Sequence, residues 1–270
     1  MLYAPPRMPP PGWIQVEQGP AGGTVWRGTI PNRFVRGARR PVLVYLPPNA
    51  SPNGRYRVVF LLQGMPGGPY SFADGLRLTG AADQLIATHA VTPFVAVLPP
   101  AGVTAKFHGE WTGPWERFLV DDVLPWADAH LPIARAPTAP TLAGLSAGGY
   151  GALDIGLRHP RQFGTLEAWS GSFDAPRDGS LRGAARAVLA AHDPTLLVRR
   201  EAPLLRRLGT RIFLSCGSTH DRITAAKTRR YARLLSALRL RHRLWLGPGG
   251  HDGRFWRSQL IPALEYALRR

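Results

Sequence analysis

The pentapeptide GLSAG at 144–148 is the feature that most constrains the fold, because a G-x-S-x-G pattern needs a particular kind of turn. The apolar run 141–145 predicts a strand entering the pattern. Residues 148–158 predict a helix that leaves the pattern and ends before Pro160. In such a strand–turn–helix unit the serine has a strained backbone and exposes its hydroxyl at the sheet edge. We therefore predict that Ser146 is a nucleophile; the alternative is a purely structural turn.

Predicted strands and helices alternate along most of the 270 residues, which indicates an α/β fold with a mostly parallel central sheet flanked by helices. Together with the serine turn, this pattern predicts the α/β-hydrolase fold. The first three strands have no helix between them and predict an antiparallel entry into the sheet. The predicted strands are 24–30, 41–47, 56–64, 94–99, 141–145, 165–171, 211–217 and 242–247. The predicted helices are 78–89, 116–130, 148–158, 181–191, 196–208, 224–238 and 256–268.

The chain length predicts one domain, residues 23–270, preceded by an extended arm rich in proline and glycine, residues 1–22. Residues 172–210 depart from the regular alternation of strands and helices. They contain two predicted helices, interrupted at 193–194 and 202–203 by Asp-Pro and Ala-Pro pairs. In this topology we expect them to form a small helical insert over the active site.

The charge balance is strongly basic, with 34 lysines and arginines against 17 acidic residues and a net charge of +17. A field of that sign favours anionic surfaces. The arginines are dispersed, and no aromatic-basic repeat resembles an RNA-binding motif, so we expect no specific nucleic-acid partner. Biased codon usage is the alternative explanation. The one cysteine, Cys216, excludes an intramolecular disulfide and a multi-cysteine zinc cluster, and it is expected to be structural.

The sequence has no apolar run of about 18 residues, so no transmembrane helix is expected. Its start, MLYAPPRMPPPG, lacks the charged beginning and apolar stretch of a signal peptide. We therefore expect a cytoplasmic protein from the chain as written, or a secreted or cell-envelope protein if an upstream export segment was removed. The sequence does not indicate an oligomeric state.

A serine nucleophile needs a neighbouring base, and the base needs a carboxylate that holds it in one tautomer. His251 follows the last predicted strand, where this fold supplies its base, in the chain order Ser, acid, His. Asp221 follows the strand 211–217 and is the favoured acid. Its competitor is Asp174, after the preceding strand, and Asp221 can also be an N-cap for the helix that begins near Thr224.

Acyl transfer also needs donors for the developing oxyanion. The backbone N–H of Ala147 is one candidate, and the N–H of Met65 is the other, since Pro66 has none. No phosphate-binding or dinucleotide-binding glycine pattern occurs, and the two His-Asp pairs lack further ligands at metal-binding spacing. We therefore expect neither a cofactor nor a metal.

Four residues are predicted to contact the substrate from the cleft. They are Gln63, Trp111, Trp115 and Phe173. For the aromatic residues the alternative is an ordinary place in the hydrophobic core.

Several sequence blocks, in the right order over residues 24–268, together resemble the esterase family that includes esterase D and the mycobacterial mycolyltransferases. The blocks are LVYLPP, FLLQGMPGG, GLSAGGYGAL, HPRQF, CGSTHD and GGHDGRFW. WERFLVDDVLPWADAHL and HDPTLLV resemble the mycolyltransferase branch. The resemblance implies that Ser146, Asp221 and His251 are a catalytic triad, and that the amides of Met65 and Ala147 form the oxyanion hole.

The chain departs from the mycolyltransferase pattern at three places. Where that branch has an acidic residue and an arginine that help to hold trehalose, this chain has Gln63 and Pro66. Asp221 replaces a glutamate, and Asp252-Gly253 replaces the Ser-Trp that follows the catalytic histidine. We therefore expect a serine esterase that hydrolyses a small-molecule, lipid or sugar ester through an acyl-enzyme. The alternatives are an acyltransferase to a sugar or lipid hydroxyl and a non-catalytic binding module.

Overall fold

The protein is built on one large, mixed β-sheet. The structure, a computed structural model, describes residues 10–35, 41–102, 111–134, 139–175 and 181–269. Residues 1–9 of the expected arm and 176–180 of the expected insert lie outside these described residues. The strands are β1 Ile14–Gln18, β2 Thr24–Gly28, β3 Val42–Leu46, β4 Arg57–Leu62, β5 Phe94–Leu98, β6 Thr141–Leu145, β7 Thr165–Trp169, β8 Arg211–Gly217 and β9 Arg241–Gly247.

The described residues form a nine-stranded sheet in the order β1-β2-β3-β5-β4-β6-β7-β8-β9. The pairs from β1 to β5 are antiparallel, and every pair from β5 through β4 to β9 is parallel. The predicted antiparallel entry is therefore correct for 24–30 and 41–47 but not for 56–64. That third strand is buried along almost all of its length, and such a strand needs cover on both faces, which the parallel centre of the sheet provides.

The helices begin and end within three residues of the predicted positions, except that the helix predicted for 181–191 begins at Arg186 and not at 181. They are α1 Leu78–Ala87, α2 Pro114–Arg117, α3 Leu124–His130, α4 Ala147–Arg158, α5 Arg186–Ala191, α6 Pro194–Leu208, α7 Arg222–Ala237 and α8 Gly253–Leu268. A π-helical turn, Phe118–Val123, joins α2 to α3 within the single helix that was predicted for 116–130.

Helix α6 runs through the Ala202-Pro203 pair, where the sequence predicted an interruption. Pro203 lies on the exposed side of the helix, so water can solvate the carbonyl that has lost its backbone donor. The other predicted interruption, at residues 193–194, is the place where α6 begins. There Asp193 accepts a hydrogen bond from the N–H of Leu196 at 3.0 Å, and Pro194 occupies the first helical position.

The second half of the expected arm belongs to the sheet, because β1 pairs with β2 at its edge. The turn between these two strands is fixed by the buried Asp83, which accepts a hydrogen bond from the N–H of Ala21 at 2.8 Å. The other carboxylate oxygen of Asp83 accepts from the Tyr45 hydroxyl at 2.9 Å. A buried carboxylate with these donors anchors the β1–β2 hairpin to α1.

Hydrophobic side chains fill both faces of the sheet. One face packs against α4 and α7, with Phe60, Leu142 and Leu166 among its buried side chains, and α6 packs on α4. The other face packs against α1 and α8, with Leu61 and Ala143 among its buried side chains. Of the helices in the described ranges, none combines the length and the apolar character that crossing a bilayer requires.

Glu167 is a carboxyl group inside this core. It lies on β7, and its Oε2 accepts a hydrogen bond from the indole N–H of Trp169 at 3.0 Å. Burial raises the pKa of Glu167 from 4.5 to about 8. Between those two values the folded chain holds a proton that the unfolded chain releases, so stability is lost as the pH rises through this window.

We therefore expect the Glu167→Gln variant to remove this pH dependence, since an amide does not ionise. The wild-type free energy of unfolding should fall between pH 5 and pH 9 by on the order of 3 kcal/mol more than that of the variant. Urea unfolding of both proteins at the two pH values measures the difference. Equal pH dependence in the two proteins would show that Glu167 is not protonated in the folded state.

Candidate active site

The serine turn lies between β6 and α4, at the carboxyl end of the parallel sheet. Ser146 has φ 53° and ψ −117°, in a backbone region that non-glycine residues rarely adopt. Such a conformation costs about 1–3 kcal/mol and needs support from the surrounding structure. One support is the hydrogen bond from the Ser146 N–H to the carbonyl of Trp169 at 2.8 Å.

The two glycines of the G-x-S-x-G pattern are required by close backbone packing. A Cβ on Gly148 would lie 1.9 Å from the carbonyl oxygen of Leu62, at the end of β4. A Cβ on Gly144 would lie 2.3 Å from the carbonyl oxygen of Gly148. Neither position can hold a side chain, because both backbone neighbours are fixed by the sheet and by α4. The pattern therefore allows α4 to begin directly against the sheet.

The three residues predicted to act together are brought into contact. The Oγ of Ser146 lies 2.9 Å from Nε2 of His251, and Nδ1 of the same ring lies 3.1 Å from Oδ2 of Asp221. The side chain of His251 is 41% exposed, whereas that of Asp221 is 13% exposed. The imidazole is thus open to a ligand on one side, while the carboxylate behind it is largely shielded from water.

Asp221 makes both of the contacts that the sequence offered as alternatives. Its Oδ1 accepts a hydrogen bond from the N–H of Thr224 at 3.3 Å and caps α7, while its Oδ2 faces His251. The competing candidate, Asp174, has a 64% exposed side chain whose Oδ2 lies 3.7 Å from Nζ of Lys227. One carboxylate oxygen of Asp221 is therefore held by the helix and the other by the imidazole.

Cys216 contacts the same carboxylate, a role that the sequence did not indicate. Its Sγ lies 3.8 Å from Oδ2 of Asp221, near the end of β8. Burial, with Asp221 as the next contribution, raises the pKa of this thiol to about 11. The thiol therefore stays protonated at neutral pH, and its one hydrogen has two acceptors within reach, the Gly217 carbonyl at 3.3 Å and the carboxylate. The structural role expected for Cys216 includes these contacts.

The loop that carries His251 is held at its carboxyl-terminal side by the start of α8. Asp252 caps α8 by accepting hydrogen bonds from the N–H groups of Arg254 and Phe255 at 2.9 and 3.0 Å. These bonds, led by that from Phe255, hold the pKa of Asp252 below its usual range. The ring of Trp256 meets the imidazole of His251 edge-on, with 5.0 Å between centroids. Trp256 is therefore a further residue of the site, visible in the sequence only as part of the GGHDGRFW block.

The two candidate oxyanion donors belong to the serine turn itself and to the loop that follows β4. Ala147 is the first residue of α4, where backbone N–H groups have no acceptor within the helix. The loop with Met65 packs against the turn, since a Cβ on Gly64 would lie 2.6 Å from the Leu145 side chain and 3.1 Å from Cβ of Ser146. These contacts place the backbone next to Met65 close to the serine.

The four predicted substrate-binding residues are all buried, and each makes contacts within the protein. The Gln63 amide nitrogen donates to the carbonyl of Gly67 at 3.3 Å, and the indole N–H of Trp111 donates to the Gln63 carbonyl at 2.9 Å. Trp115 packs edge-on against Phe118.

These contacts favour the alternative for Trp111 and Trp115, in which such large rings belong to the core because of the apolar area that they bury. Phe173 stacks on Tyr231, and it also lines a cavity. Contact of any of these residues with a substrate stays a prediction.

One buried polar cluster lies outside the serine site. Glu116, Asp154 and His192 offer ligand atoms that all lie within 4.8 Å of one another. The guanidinium of Arg158 lies 2.5 Å from a Glu116 oxygen and 3.8 Å from an Asp154 oxygen. Because Glu116 and Asp154 are already paired with Arg158 and with two histidines, His159 and His192, the cluster is an ionic network that ties α4 to α2 and to the segment before α6.

The protein has the α/β-hydrolase fold. The features that define it are the parallel sheet, the strained serine at the end of β6 and the histidine loop after β9. Its sequence matches the esterase family, described as "Putative esterase", over residues 35–267. The chain belongs to this family, as the sequence blocks predicted. Family membership supports a hydrolase of the esterase type.

Among curated relatives, the diacylglycerol acyltransferase/mycolyltransferase Ag85A of Mycobacterium tuberculosis is 27% identical over 175 residues, 58% of this chain and 49% of that protein. The iron(III) enterobactin esterase of Escherichia coli is 29% identical over 145 residues, 53% of this chain and 33% of that protein. The match thus spans half or less of the length of these two relatives.

Solved structures share the fold over nearly the whole chain. A ferulic acid esterase has a TM-score of 0.79 and 21% identity, covering 92% of this chain and 98% of its own. The S-formylglutathione hydrolase of Staphylococcus aureus has a TM-score of 0.72 and 17% identity, and the match covers 93% of this chain and 99% of that one. These similarities confirm the predicted α/β-hydrolase fold.

Proposed function

We propose that the protein is a serine esterase that hydrolyses carboxylic esters through an acyl-enzyme on Ser146. The observation that carries the proposal is the continuous chain of contacts from Oγ of Ser146 through both ring nitrogens of His251 to Asp221. A serine hydroxyl is a weak nucleophile, and a base at hydrogen-bond distance is what activates it. These contacts support the assignment of His251 as that base and of Asp221 as the carboxylate that orients it.

In the acylation step, Oγ of Ser146 attacks the ester carbonyl carbon while Nε2 of His251 takes the hydroxyl proton. The carbonyl oxygen becomes an oxyanion, and the N–H groups of Ala147 and Met65 donate to it. When the tetrahedral intermediate collapses, the carbon–oxygen bond to the alcohol breaks. The departing alkoxide takes the proton from Nε2, and the acyl group remains on the serine.

Deacylation repeats the same chemistry with water. Nε2 of His251 accepts a proton from the water as its oxygen attacks the acyl carbon. Collapse of the second intermediate breaks the bond to Oγ, returns the proton to Ser146 and releases a carboxylic acid. Throughout, Asp221 accepts the hydrogen bond of the Nδ1–H group, so that Nε2 stays free to act as a base.

Acyl transfer to a sugar or lipid hydroxyl is the second candidate function. It is favoured by the 27% identity, over 175 residues, to the relative named as a diacylglycerol acyltransferase/mycolyltransferase. The same acyl-enzyme would then react with an alcohol instead of water. The side chain of Gln63 is turned into the protein and binds Gly67, so it does not replace the acidic residue that the mycolyltransferases use for trehalose.

Product analysis with p-nitrophenyl esters separates these two functions. We expect the carboxylic acid to equal the released p-nitrophenol, and added trehalose to leave both the rate and the products unchanged, because water is the acceptor. Mass spectrometry of the products, with the Ser146→Ala variant as a blank, checks this balance. A trehalose ester that forms at the expense of free acid would instead establish transfer.

A further inference from the structure

A cavity of about 410 Å³ lies outside the serine site, between α6 and α7 and next to the segment that follows β7. We call it the α6/α7 groove. It is lined by Phe173, Asp174, Thr195, Arg199, Lys227, Arg230, Tyr231, Arg233, Leu234 and Ala237. The lining contains none of Ser146, Asp221 and His251. Its volume is in the range of pockets that bind small molecules.

The groove is lined by four basic side chains and a single carboxylate. Arg199 comes from α6, and Lys227, Arg230 and Arg233 come from α7. Among the residues that the structure describes, Lys227 forms an ion pair with the carboxylate, Asp174, and the three arginines form none. Like charges that face one another across a groove repel, and an anion between them would remove that cost.

The groove has a fixed aromatic wall beneath these charges. The rings of Phe173 and Tyr231 stack with 4.4 Å between their centroids. The Tyr231 hydroxyl donates to the carbonyl of Pro194 at 3.2 Å, and the Thr195 hydroxyl donates to the carbonyl of Phe173 at 2.7 Å. These bonds join α7, the start of α6 and the segment after β7. The arginine side chains are therefore presented from a rigid frame.

We propose that the α6/α7 groove binds a ligand through its phosphate group. A guanidinium presents a planar pair of donors that matches two oxygens of a phosphate, and such charge-assisted bonds are among the strongest hydrogen bonds in proteins. Arginines from two helices surround a tetrahedral anion better than arginines on one surface. The groove shares no residue with the proposed triad of Ser146, Asp221 and His251, and of the predicted substrate-binding residues only Phe173 lines it.

The first test is calorimetric titration of the full chain with inorganic pyrophosphate. The groove variant, Arg199→Gln with Arg230→Gln, removes one lining charge from each helix. The control variant, Arg207→Gln with Arg229→Gln, removes one exposed charge from each of the same helices outside the groove. The groove variant should bind at least about tenfold more weakly, and the control variant should change the affinity by less than about twofold. Asp174→Asn should tighten binding, because it removes the competing carboxylate.

A second arm distinguishes a free phosphate compound from a lipid headgroup. Vesicles of phosphatidylglycerol replace pyrophosphate, with phosphatidylcholine vesicles as the neutral reference. A loss of affinity in the groove variant alone supports the proposal. The probe with which the loss occurs shows whether the ligand is a free phosphate compound or a lipid headgroup. Equal losses in the two variants, or no binding of either probe to the wild-type protein, would overturn the proposal. All four arginines are exposed, and thermal unfolding checks that each variant is folded.

Discussion

Replacing Ser146 with alanine should lower kcat for p-nitrophenyl ester hydrolysis by about 10⁴- to 10⁶-fold. The variant keeps the oxyanion donors and the binding surface, so only the weak catalysis that these provide should remain. The loss should appear in kcat, because the nucleophile acts after the substrate has bound. Steady-state rates with purified protein measure this change.

Ser170→Ala is the matched control for Ser146→Ala. Ser170 also has a positive φ, 52°, and follows β7, the neighbouring strand. Its hydroxyl accepts from the indole N–H of Trp256 at 3.2 Å and makes none of the described contacts with His251. Its loss should change kcat by less than about tenfold. A Ser146→Ala variant as active as this control would remove Ser146 from the chemistry.

Asp221→Asn should lower kcat by about 10⁴-fold while leaving the fold intact. The oxygen that asparagine retains can still cap α7. In the wild-type protein Oδ1 of Asp221 does so by accepting a hydrogen bond from the N–H of Thr224 at 3.3 Å. The amide NH₂ replaces the oxygen that faces Nδ1 of His251, and two donors cannot bond to each other. The imidazole therefore turns to the wrong tautomer, and Nε2 no longer accepts the serine proton.

Two further variants separate orientation from capping. Asp221→Ala should lose the same activity and also about 1 kcal/mol of stability, because the cap is removed as well. Asp174→Asn should retain nearly full kcat, since this carboxylate pairs with Lys227. Urea unfolding of all three variants measures their stability, and steady-state rates measure their kcat. Near-normal activity in Asp221→Asn, together with a loss of activity in Asp174→Asn, would show that Asp174 and not Asp221 is the acid.

The sequence predicted β6 and α4 almost to the residue. The run 141–145 is a fully buried strand, and only glycine fits at 144 and 148, where backbone atoms pack closely. It did not predict that β4 lies inside the parallel half of the sheet, because strand order depends on contacts between distant segments. Continuous burial of β4 was the local sign of that position.

Chain order led to the prediction of Ser146 and His251, because this fold delivers each from the loop after a particular strand, but it left Asp174 open beside the favoured Asp221 as the acid. It was not enough to find the contacts of Cys216 and Trp256, which depend on side-chain packing. The predicted substrate-binding residues show that sequence position alone can also suggest a contact with substrate that side-chain packing does not favour. Trp111 looked available to a substrate in the sequence, whereas its indole is buried and bonds the carbonyl of Gln63.

The most direct test of the proposed nucleophile is labelling with a fluorophosphonate probe, followed by peptide mapping. The reaction needs a serine activated by its neighbours, so it also tests the alternative of a non-catalytic binding module. We predict one adduct, on the peptide containing Ser146, that is absent in Ser146→Ala and forms far more slowly in His251→Ala. No adduct on the folded wild-type protein, or an adduct on a different serine, would contradict the account.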